Sequence, residues 1–241
     1  MGCPDAASPP PARRILGGTV PDPAATGSAS LLFIAGIGSA GLCLGLLLEH
    51  LILPRLLPRL AGPPAIRPGI TTAAAGFALS ALLAWRFGTS AELPAYLVLA
   101  IAGIQLTRID FLHHLLPNRL VLPLLGAGVL LLAFAAAVAG NAGNLLRGLS
   151  GAVILFILYL ILALTSRNGL GMGDVKLAAP LGLYLGYLGW SPLFYGGALG
   201  FVAGGIASVL VVLKNRGNKP QEVAYGPSML AAGIAVILLA Q

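Results

Sequence analysis

The chain has 241 residues, 58% of them hydrophobic and only 9% charged, with a formal net charge of +7. Soluble domains carry roughly a quarter charged residues, so this composition excludes an ordinary globular protein and implies an all-α, polytopic transmembrane helical bundle. The basic residues lie in short stretches between apolar runs, with no aromatic interleaving, so they point to membrane orientation and anionic lipid and exclude a nucleic-acid partner.

Residues 1–30 are rich in Pro, Ala and Gly and read as a disordered tail ahead of one transmembrane domain, 31–241. The first apolar run, Leu31–Leu53, is too long for the core of a cleaved signal peptide and reads as a span. Glu49 and His50 near its end read as a local polar pair. A loop follows that carries Arg55, Arg59 and Arg67 and is broken by five prolines between Pro54 and Pro68. Further spans are expected over about 70–87, 93–107, 120–139, 148–165, 193–213 and 226–240. The apolar stretch 177–189 is short, about 20 Å at ~1.5 Å per residue against a ~30 Å hydrocarbon core.

Charge decides whether that stretch crosses. With eight crossings and the N-terminus outside, ten of the 14 basic residues fall inside: Arg55, Arg59, Arg67, Arg108, Arg119, Arg167, Lys176, Lys214, Arg216 and Lys219. Arg13, Arg14, Arg86 and Arg147 remain outside. A mere dip would put the Lys214–Lys219 loop outside, against the positive-inside tendency. Eight spans also bring the segments holding Asp110 and Asp174 to the same, cytoplasmic side.

Acidic residues are scarce. After the tail there are Glu49, Glu92, Asp110, Asp174 and Glu222. The two aspartates stand at the cytoplasmic ends of spans, where an ionised group is costly without a task or a partner. Two carboxylates held close together share one proton. The ionised one draws a proton from water, and the protonated one hydrogen-bonds the carbonyl under attack. Such a pair hydrolyses an amide with no metal, no cofactor and no covalent intermediate. Each residue also has a plainer reading. Asp174 suits a helix N-cap, with Gly171 and Gly173 as turn residues. Asp110, read as following a helix C-terminus, suits a solvated loop charge, although the helix dipole opposes it there. His113 and His114 read as solvated interfacial groups. Lys176 faces either anionic headgroups or substrate, and Pro117 sets the start of the next helix. Cys3 and Cys43 have no CxxC spacing, so neither a zinc site nor a disulfide framework is indicated.

Two motifs carry a family resemblance. Asp110 is followed by Pro117-Asn118 and the apolar Leu120-Val121-Leu122-Pro123, and Gly171-Met172-Gly173-Asp174-Val175-Lys176 reads Gly-x-Gly-Asp-x-Lys. A weaker third is Tyr225-Gly226-Pro227 at the start of the last span. With these motifs the chain resembles the type IV prepilin peptidases, membrane aspartic proteases of the GxGD type, over about residues 31–241. The resemblance implies a catalytic pair, Asp110 and Asp174, supported by Gly171, Gly173, Lys176, Pro117 and Asn118. It implies a prepilin or pseudopilin substrate, cut after its basic leader at the cytoplasmic face of the cell membrane. Two departures stand out. The loop after the first span lacks the two CxxC pairs of many larger members, and nothing in the sequence supports the N-methylation that many members perform. Where members often have Phe and Asn near the end of span one, this chain has Leu48-Glu49-His50, so Glu49 is expected to alter substrate contacts.

Three other readings compete. A GxGD protease cutting within transmembrane helices would have Tyr-Asp and Pro-Ala-Leu motifs, but Ile109 precedes Asp110 and the last span lacks that tripeptide. A transporter would place its ionisable groups near the bilayer centre. A non-catalytic assembly factor would share the fold and cleave nothing.

Overall fold

The computed structural model describes residues 23–52, 68–113, 116–165, 171–214 and 225–240. Among these residues there are eight α-helices: α1 Pro23–Leu47, α2 Pro68–Phe87, α3 Leu93–His113, α4 Asn118–Ala139, α5 Ala142–Thr165, α6 Met172–Leu188, α7 Trp190–Lys214 and α8 Gly226–Leu239. A π-helical turn, Leu48–Ile52, continues α1. Six helices are long and apolar enough to cross a membrane, while α6 and α8 are shorter.

Burial separates an inner pair of helices from an outer ring. On α6 nearly every position from Asp174 to Tyr187 is buried, so this helix is enclosed on all sides. The α3 span is 61% buried, against 17–33% for the other five long spans. The outer helices turn large apolar side chains outward, among them Leu130 and Phe134 of α4, Ile161 and Leu164 of α5, and Phe194 and Val209 of α7. Outward apolar and inward mixed surface is what a hydrocarbon solvent selects. Each inner helix carries one of the two aspartates.

Backbone contact fixes α6. Gly148 and Gly151 of α5 meet Gly182 and Gly186 of α6, and a Cβ on Gly182 would lie 2.3 Å from the Gly151 carbonyl oxygen. Helices in lipid gain little from hydrophobic exclusion, so small residues that let backbones touch supply the packing. Arg147 of α5 ties off the far end of α6, donating to the carbonyls of Gly186 at 2.8 Å and Tyr187 at 2.7 Å. Two aromatic rings brace the inner pair: Tyr96 of α3 donates to the Tyr184 carbonyl of α6 at 3.1 Å.

Several expected boundaries move. α1 starts at Pro23, inside the stretch read as a tail, whereas residues 1–22 lie outside the described residues. α3 runs on to His113, so Asp110 is inside the helix rather than in a loop after it. α5 begins at Ala142 because Arg147, a polar residue that local hydropathy leaves in a loop, is used by α6. The Arg55–Arg67 loop, His114, Arg167 and the loop 215–224 lie outside the described residues, and so does the side chain of His113.

Candidate active site

Four helix ends converge at one end of the bundle. They are the last turn of α3, the start of α4 with Leu116 before it, the first turn of α6 and the first turn of α8. Asp110 is 4% exposed and Asp174 5% exposed. Leu116 packs against the starts of α6 and α8. A Cβ on Gly173 would stand 2.9 Å from Leu116 Cβ, and one on Gly226 would stand 3.4 Å from Leu116 Cδ1. The same Gly226 Cβ would come within 2.7 Å of Asp110 Oδ2, so the backbone of α8 lies directly against that carboxyl group.

The local sequence explains how α6 presents its aspartate. Gly171 occupies the N-cap position with extended φ −73° and ψ 146°, and no side chain caps the helix. Asp174 is therefore not the N-cap. It stands within the first turn, where the helix dipole favours negative charge. Its Oδ1 is buried with no hydrogen-bond partner among the described residues. Asp174 also precedes the apolar stretch that begins at Leu177. Burial, and next the neighbouring Asp110, push the Asp174 carboxyl up to about 7, while a hydrogen bond from the Gly171 backbone pulls it down.

That shift has a stability consequence. A native state whose carboxyl titrates near 7, against the ordinary 3.8, holds a proton that the unfolded chain releases. Stability contributed by that proton is complete below the ordinary value and is lost as pH rises through about 7. Asp174→Asn is expected to melt several degrees above wild type at pH 8, with the difference fading toward pH 4. Thermal melts across that range check it. Parallel wild-type and variant curves would mean that Asp174 does not carry the shifted proton.

The other residues of the two motifs gather at the same place. Pro117 forms the N-cap of α4, and its carbonyl accepts from Leu120 N at 3.0 Å, so it does set that helix start. Lys176 Nζ donates to Asn118 Oδ1 at 3.0 Å, joining the two motifs across helices. Gly171 is exposed and Gly173 half-buried. One side chain near the pair escaped the sequence reading. Tyr159 of α5 is 1% exposed, lies near enough to Asp174 to feel its charge, and donates to the Gly197 carbonyl at 3.1 Å. A lone polar aromatic inside an apolar span is the signal that would have singled it out. Glu49 pairs with Arg108 of α3 rather than with His50, which is exposed. Among the described residues no three His, Cys, Asp or Glu side chains come together.

Residues 97–209, a segment that contains both aspartates, match the type IV leader peptidase family. Through this segment the chain resembles the type IV leader peptidases. Similar proteins include a prepilin leader peptidase/N-methyltransferase of Stutzerimonas stutzeri, 32% identical over 165 residues, which are 66% of this chain and 54% of that protein. A protein of the same description from Pseudomonas aeruginosa is 32% identical over 165 residues, again 66% of this chain and 54% of that protein. One from Aeromonas hydrophila is 32% identical over 171 residues, 70% of this chain and 56% of that protein. The chain thus spans about half the length of the curated relatives it matches. No solved structure matches it. Six helices long and apolar enough to cross a membrane, together with similarity to the leader peptidases, support an integral membrane protein.

Proposed function

We propose that this chain is an aspartic endopeptidase that removes the basic leader peptide from type IV prepilin-like proteins at the cytoplasmic face of the cell membrane. The observation that carries this reading is the burial of two carboxylates, Asp110 and Asp174, close enough that one raises the proton affinity of the other. Two buried acids that share a proton are poised to be base and acid at once near neutral pH.

In the proposed reaction the ionised member of the pair takes a proton from a water molecule, and the oxygen attacks the scissile carbonyl. The protonated member hydrogen-bonds the carbonyl oxygen as charge develops there. Collapse of the tetrahedral intermediate returns a proton to the leaving amine and breaks the C–N bond. The titration belongs to the pair, so neither residue alone is the base. Lys176, steered by Asn118, would meet the substrate backbone beside the pair. In this reading the chain crosses eight times with its N-terminus outside, a topology supported by the distribution of basic residues, and this end of the bundle would lie at the inner leaflet beside a basic leader. The relatives are named as N-methyltransferases as well, but the proposal for this chain is limited to cleavage.

The test is cleavage of a purified prepilin by the purified full chain in proteoliposomes, with the new N-terminus read by mass spectrometry. A single cut between the basic leader and the apolar helix is expected. A non-catalytic assembly factor would leave the prepilin intact. Activity is expected to survive EDTA, because every step above is carried by carboxylates and water. Loss of cleavage in EDTA with recovery on added zinc would contradict the mechanism.

A further inference from the structure

An ion pair between side chains lies outside the catalytic cluster, at the end of the bundle that carries it. Among the described residues, Arg108 of α3 donates to Oε1 of Glu49 in the π-helical turn. One helical turn earlier, Gln105 Nε2 of α3 donates to the Gly45 carbonyl of α1 at 3.3 Å. The two bonds advance together along both chains, from Gly45 with Gln105 to Glu49 with Arg108. They fix the register of α1 against α3 in a parallel pairing. Two residues beyond Arg108 on the same helix stands Asp110.

This seam is polar where packing alone would have been cheaper. The Glu49 side chain is 9% exposed, and its second oxygen, like Gln105 Oε1, is buried without a hydrogen-bond partner among the described residues. A buried ion pair is weak support for stability, since well-packed apolar residues of similar volume often do as well or better. Its best-attested use is to select one register over others. A π-helical turn is itself a feature frequently found at functional sites. Elsewhere α1 is held chiefly by α2, where Gly41 lies against Ser80 and Gly76, so the bonds from Gln105 and Arg108 are the polar ties of α1 to the end of α3.

We propose that Glu49 is a positioning residue for the cleavage reaction: through Arg108 it holds the last turn of α3 in register, and so sets where Asp110 meets Asp174. This inference rests on the function proposed above. It assigns Glu49 a role through Arg108, in place of the direct substrate contact that the sequence suggested.

The experiment uses the full chain and compares wild type, Glu49→Gln, Arg108→Glu and the exchange Glu49→Arg/Arg108→Glu. Prepilin cleavage gives kcat and KM for each. A second readout needs no activity: oxidative cross-linking of Asp110→Cys with Asp174→Cys, with Cys3 and Cys43 replaced by Ser. Glu49→Gln is expected to lower kcat about tenfold or more with KM within about twofold, since small displacements of a catalytic group cost that much. The cross-linking yield should fall in the Glu49→Gln background. The exchange should recover both readouts, and a kcat loss with KM unchanged is what separates positioning from mere support of the fold. Wild-type kcat in Glu49→Gln, a loss confined to KM, or an unchanged cross-linking yield would each overturn the proposal. An exchange no better than the worse single variant would do so as well. A wild-type chain that cuts nothing would instead defeat the proposed function, and cross-linking would still report on the register.

Discussion

Replacing Asp174 with Asn is expected to lower single-turnover leader cleavage by about 10⁴-fold while substrate affinity stays within about twofold. General acid–base participation is worth about 10²–10⁴, and in the proposed reaction one proton serves both roles. Asparagine keeps the volume and the first-turn position in α6 but cannot be the ionised member of the pair. The contrast with stability is the informative part. The same substitution removes an ionisation that burial disfavours, so the inactive variant is expected to be the more heat-resistant one at alkaline pH. A residue present only to begin a helix would give the opposite pattern, a loss of stability with activity retained. Asp110→Asn is expected to lose cleavage to a similar extent. Prepilin processing assays and thermal melts on the same preparations separate the cases.

The second large effect concerns a residue with no chemistry of its own. Gly226→Ala is expected to lower kcat about 10²-fold with little change in KM. The added methyl would fall 2.7 Å from Asp110 Oδ2, inside van der Waals contact, on a helix whose next residue is Pro227. Either the carboxyl group turns away from Asp174 or α8 shifts outward, and either change spoils the alignment. Gly233→Ala on the same helix supplies the comparison. Its methyl would meet the end of the Leu181 side chain at 2.9 Å, which can rotate aside, so kcat is expected to stay within about threefold. Equal kcat values for Gly226→Ala and wild type would show that the backbone of α8 does not confine Asp110.

These two predictions mark how far the sequence could be read. Apolar run length locates the helices because hydrocarbon demands a minimum of them. The rarity of acids singles out Asp110 and Asp174, because an ionised group near lipid needs a reason. Both signals are local. The position of Gly226 against Asp110 is not: it joins residues on α3 and α8, and only a weak Tyr-Gly-Pro match hinted at it. Helix ends fail for the same cause. α3 continues past Thr107 through Arg108 and Asp110 because Glu49 satisfies the first and the bundle encloses the second. α5 takes in Arg147 because the carbonyls of α6 receive its guanidinium. In each case a polar residue that looked like the end of a span is retained inside a helix by a partner far away in the chain.

The pairing of the two acids is tested most directly by single-turnover cleavage with Asp110→Asn, Asp174→Asn and the double variant in one series. Groups that act as one unit lose nearly everything with the first removal. The account predicts three rates that agree within about threefold, all about 10⁴-fold below wild type. A single variant that processes prepilin at the wild-type rate, or a double variant slower than either single by the product of their separate losses, would contradict it.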